Sequence, residues 1–86
     1  MRGEDAAFEA DSMQAGYFRE YLNGERAELQ RTLADHINRL EACLKGGSTR
    51  LVSHHRGCIR AAENELRFVD RMLARLDSRF PRKADR

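Results

Sequence analysis

Five side chains able to ligate a metal lie in the middle of the chain: His36, Cys43, His54, His55 and Cys58. Imidazole and thiolate are the ligands zinc prefers. His55 and Cys58 are three residues apart, which puts them on one face of a helix. A chain that folds back on itself near residue 46 brings His36 opposite Cys58. His36, His55 and Cys58 are therefore the candidate metal ligands, zinc the candidate ion, and Glu41 or a second copy the source of a fourth ligand. The chain has no C-x-x-C pair and no established zinc spacing. That weighs toward packed, hydrogen-bonded histidines and toward thiols that act as small apolar side chains. Cys43 lies too near the fold-back point to meet Cys58 in a disulfide.

A second constellation could bind phosphate. On a helical wheel, Arg56, Arg60, Arg67, Arg71, Arg75 and Arg79 share one arc, with no acidic residue inside it. Arginines in a row pair with phosphates and give salt-sensitive, largely sequence-independent binding. The competing reading is a solvated outer face, or one that meets Glu20, Glu28 and Asp35 of a neighbouring copy. The net charge of only +2 favours that competing reading over strong nucleic-acid binding. Residues 1–47 carry six Lys/Arg against nine Asp/Glu, and residues 48–86 ten against five. Arg26 stands alone on an otherwise apolar stripe. An ion pair with Glu65 or Asp70 across the fold explains it better than a waiting ligand does. Tyr17, Phe18, Tyr21 and Phe80 form an aromatic group suited either to docking a partner protein or to plugging the end of a bundle.

No set of residues has the form of a catalytic site. Gly46-Gly47-Ser48-Thr49-Arg50 lacks the Gly-Lys-Ser/Thr ending of a phosphate loop. The expected protein is not an enzyme. No apolar run approaches the length of a membrane span, so no membrane partner is expected. The acidic start MRGEDAAFEAD is unlike a signal peptide, which points to the cytoplasm and to reduced thiols.

The elements that must position these groups are helices. Phe18, Leu22, Leu29, Leu33, Ile37, Leu40 and Leu44 recur at helical spacing, and Phe18/Leu29/Leu40 and Leu22/Leu33/Leu44 each repeat every 11 residues. Val52, His55, Ile59, Ala62, Leu66, Val69, Leu73, Leu76 and Phe80 alternate steps of three and four, as in a coiled-coil seam. Gly46-Gly47 separates the two series and Pro81 ends the second. The spacing predicts a flexible acidic segment over 1–11, a first helix over about 12–45, a turn at 46–48, a second helix over about 49–80, and a basic tail at 81–86. Gly46 is the expected left-handed residue, and Ser48 or Thr49 the expected cap of the second helix. Gly16 and Gly24 are the weak points of the first helix, and a first helix starting after Gly24 is the alternative.

So short a turn forces an all-α, two-helix antiparallel hairpin, coiled-coil-like. Phe18 should then lie near Leu76, Leu22 near Met72 and Leu73, Leu33 near Ala62, and Leu40 near His55. One hairpin covers only one stripe of each helix. Tyr17, Tyr21, Leu51, Cys58, Phe68 and Met72 widen the apolar face beyond that stripe. A homodimer forming a four-helix bundle covers them most economically, with a core of Leu29, Leu33, Ile37, Leu40, Ile59, Leu66, Val69, Leu73 and Leu76. Hairpins of this shape include secreted proteins with a Trp-X-Gly turn and plasmid-encoded RNA-binding dimers. This chain has Gly46-Gly47-Ser48, no tryptophan and no motif of either, so no residue role is carried over. The sequence thus reads as a small interaction or regulatory protein, acting through self-association and an unidentified partner protein. Nucleic acid bound by the arginine stripe is the alternative. A metal or redox sensor built on the histidines and Cys58 stands third.

Overall fold

The computed structural model describes the backbone of residues 2–81 and the side chains of residues 8–81. Two helices, α1 (Arg2–Lys45) and α2 (Val52–Arg79), pack against each other as an antiparallel hairpin. The molecule measures 67 × 26 × 15 Å, a long dimension that matches α1's 44 residues at about 1.5 Å each.

α1 begins at Arg2, ten residues before the expected start. Residues 4–15 contain four alanines and no β-branched residue. Their four acidic residues fall toward the start of the helix in sequence, where the peptide dipoles favour negative charge. That composition extends the helix without needing a seam to hold it. The helix also runs unbroken through Gly16 and Gly24, because residues on both sides of each are packed on α2. As a result α1 is 16 residues longer than α2, and its first turns project past α2's end. Residues 82–86 of the expected tail lie outside the described residues.

The turn covers residues 46–51, longer than the expected 46–48. Gly47, not Gly46, takes the left-handed conformation, with φ +72°. The Gly47 amide donates to the Leu44 carbonyl at 3.4 Å and the Ser48 amide to the Cys43 carbonyl at 3.0 Å. This pair of bonds closes a helix end that needs one left-handed residue. Neither Ser48 nor Thr49 caps α2. The cap position is Leu51, already in the right-handed region, and no side chain bonds there. Instead the Thr49 carbonyl accepts from the Val52 amide at 3.3 Å, so the backbone satisfies itself. At the far end the Phe80 amide donates to the Leu76 carbonyl at 2.7 Å. Pro81 then forces Phe80 out of the helical region, and α2 stops.

The core between the helices is thin. Ala15, Leu22, Ala62 and Val69 are the buried apolar residues, joined by His55. Leu29, Leu33, Leu40, Ile59, Leu66, Leu73 and Leu76, all expected in the core, are half-buried. Ile37, expected with them, is 38% exposed at the edge of the seam. Two helices enclose a line of small contacts, and bulky side chains on that line necessarily protrude to either side.

Candidate interaction surface

What protrudes is large and apolar. Phe8, Met13, Tyr17, Phe18, Tyr21, Ile37, Leu44, Leu51 and Phe68 are all exposed. Several of them belong to one groove on a single face of the hairpin. Phe18, Tyr21 and Leu29 approach from α1, and Phe68 and Met72 from α2, with Leu22 and Val69 at its floor. Phe18 and Tyr21 stack nearly parallel, ring centres 6.2 Å apart. Glu25 and Glu65 lie at the groove's end nearer the turn. Toward the open end the same face continues through Met72 and Leu76 to Arg75 and Arg79. The expected neighbours Phe18 and Leu76, and Leu22 and Met72, therefore do share surfaces. Phe80 sits apart from Tyr17 and Tyr21. It packs instead on Phe8, centres 5.7 Å apart, beneath the Arg79 guanidinium.

The arginines separate into two sets. In α1, Arg19 reaches across to Asp77 at 2.9 Å and also donates to the Phe80 carbonyl. Arg26 pairs with Asp70 at 2.8 Å, the cross-hairpin pair expected of it. Arg31 and Arg39 pair along their own helix with Glu28 and Asp35. In α2, Arg56, Arg60, Arg67, Arg71, Arg75 and Arg79 are all exposed. Among the described residues none of the six meets a carboxylate. Arg67 donates to Asn64 and Arg79 lies over Phe80. Arg56, Arg60, Arg67 and Arg71 occupy the back of α2, while Arg75 and Arg79 swing onto the groove face.

The histidines gather differently from expectation. His36 meets His55 rather than Cys58, Nδ1 to Nδ1 at 2.9 Å. Cys58 faces the His54 Nε2 from 3.8 Å, and the His54 ring stands edge-on to both other rings. The contact thus falls one helical turn nearer the hairpin turn than the expected pairing. His36, His55 and Cys58 do not converge, and among the described residues no group of three or more His, Cys, Asp or Glu is arranged to hold a metal ion. Cys43 and Cys58 are half-buried free thiols.

The His36–His55 contact needs one ring nitrogen to donate and the other to accept, so at most one ring carries a second proton. Burial pushes the His55 pKa below its ordinary 6.5, and the neighbouring His36, His54 and Arg39 push the same way against the pull of Asp35.

Among the described residues no helix is long and apolar enough to cross a membrane. No family model, no curated protein and no solved structure matches the chain.

Proposed function

We propose that this chain is a small non-enzymatic interaction protein of the cytoplasm, which regulates by associating with itself and with a partner protein. One observation carries the reading: among the described residues four apolar ones are buried between the helices while nine large apolar ones are exposed. Exposed aromatic residues gathered in a groove mark interfaces. The half-buried leucines beside the groove supply the rest of the bundle core once a second hairpin covers them. The test is sedimentation velocity over a micromolar concentration series, with a pull-down from cell extract using the full chain. A dimer whose fraction rises with concentration supports the self-association half of the reading. A monomer at every concentration, with no captured protein, overturns the whole of it.

A second reading has its own support. Arg56, Arg60, Arg67 and Arg71, exposed on the back of α2 and unpaired with any carboxylate among the described residues, form a cationic patch suited to a phosphate backbone. Retention on heparin that a few hundred millimolar salt abolishes, and that Arg60→Ala with Arg67→Ala removes, supports that reading. Passage through the column at low salt overturns it.

A further inference from the structure

The charge at the two ends of the aromatic groove has opposite sign, and its layout is symmetric about one residue. Glu65 precedes Met72 by seven residues and Arg79 follows it by seven. Phe68 precedes it by four and Leu76 follows by four. All five lie on the same face of the hairpin. From this we infer that a second copy of the chain docks on this face, antiparallel, about a two-fold axis that passes through Met72. The inference rests on the self-association reading and gives it a geometry.

A two-fold perpendicular to the helices lays α2 of one copy against α2 of the other in opposite directions. Residues equally far from the axis then meet. Glu65 faces Arg79, Phe68 faces Leu76, and Met72 faces its own equivalent. On α1, Tyr21 and Glu25 fall on either side of the axis, so the phenol can donate to the carboxylate of the opposite copy. Such an interface is made of one patch used twice, so the patch must be its own complement. A groove with Glu25 and Glu65 at one end and Arg75 and Arg79 at the other satisfies that demand. None of these four charges has an ion-pair partner within the hairpin among the described residues.

The competing two-fold, parallel to the helices, brings like ends together, with Arg75 and Arg79 of both copies at one end of the interface and Glu25 and Glu65 of both at the other. Like charges set together oppose that arrangement. The length of α1 points the same way as the charges. Its midpoint lies between Asn23 and Gly24, beside Leu22 and Glu25 of the groove that Met72 lines. An axis there lets two hairpins overlap along their whole length. The N-terminal overhang of each α1 then lies beside the turn end of the other copy, and the long dimension of the dimer stays near the 67 Å of one hairpin.

The test uses the full chain with Cys43→Ser and Cys58→Ser, so that added thiols report alone. Met72→Cys should form a disulfide-linked dimer with oxidised glutathione, while Ser53→Cys, on the back of α2, should not. In sedimentation equilibrium, Glu65→Arg and Arg79→Glu should each weaken the dimer about ten-fold or more, and the two together should restore it. Circular dichroism checks that each variant keeps its helix content, and rescue by the double exchange excludes simple misfolding. A dimer that does not cross-link through Met72→Cys and ignores both charge reversals overturns this geometry and leaves self-association standing. A chain that is monomeric throughout overturns both.

Discussion

The arginines of α1 and those of α2 are the same side chain in two different situations. Each of the four α1 arginines with a described partner is held by a carboxylate, while all six on α2 project without one. The cause is visible in where α2's acids go. Asp70 and Asp77 lie beside the seam and are engaged by Arg26 and Arg19 from the opposite helix. Two of α2's acids thus neutralise arginines of α1, while α2's own arginines stay uncompensated among the described residues. The basic excess of residues 48–86 ends as a surplus on the outer face of α2. Ion pairing across the seam builds the hairpin, and the surplus is what remains to meet something else.

The two sets should therefore respond oppositely to mutation. The largest effect is expected at Arg19, whose side chain is 12% exposed and holds both Asp77 and the Phe80 carbonyl. Arg19→Ala should destabilise the hairpin by about 1–2 kcal/mol, read from urea unfolding followed by circular dichroism. A loss near zero would mean that the cross-seam pair does not hold the open end. Next comes a change in the opposite direction. A Cβ at Gly24 would meet nothing within 4 Å, and Gly24 lies between the two arginines that cross the seam. Gly24→Ala should stabilise the protein by roughly 0.5–1 kcal/mol by stiffening the helix that carries both. A destabilised Gly24→Ala would show that another molecule approaches α1 at that point.

Arg26→Ala should cost less than about 1 kcal/mol, because Arg26 and Asp70 are both near half-exposed and water screens the pair. On the other side of the comparison, Arg60→Ala with Arg67→Ala should leave the stability of the monomer within about 0.5 kcal/mol of the original. A larger loss would mean those arginines are part of the fold after all. A smaller effect still concerns the histidines. The folded state disfavours the second proton on His55, so the unfolded chain binds more protons in acid. The stability from this group is complete above about pH 6.5 and lost as pH falls through the lowered value. The melting temperature should fall from pH 7.5 to 5, and His55→Leu should flatten that slope. An unchanged slope would place the acid sensitivity elsewhere.

Much of the hairpin is legible from spacing. The alternating steps of three and four from Val52 to Phe80 specify one apolar stripe, and Gly46-Gly47 marks the reversal. Arg26 on α1's stripe, with Asp70 at the matching level of α2, foretells their pair. The reach of α1 to Arg2 was hidden, because residues 2–11 have helix-forming composition but no apolar period long enough to reveal it. The absence of a side-chain cap on α2 was hidden as well. Ser48 and Thr49 are suitable residues, but the closure at Gly47 leaves the chain already right-handed at Leu51.

The candidate site divides in the same way. Tyr21, Phe68 and Met72 stand out in the sequence as apolar residues beside the seam, and Phe18 as one on it. That they line one groove, with acids toward one end and arginines toward the other, depends on how each helix is rotated about its axis. The histidines show how finely that matters. His36 meets His55, three residues before Cys58, and that local offset replaces the expected ligand set with a hydrogen-bonded pair while Cys58 faces His54.

The order of residues alone determined that two helices form, where they reverse and that their apolar stripes face each other, since these follow from local conformation and period. Only the tertiary structure decided which histidines touch, which arginines are held and which face carries the groove. Those outcomes turn on rotations and offsets of less than a helical turn, which are settled by side chains packing across the seam and not by any repeat along the chain.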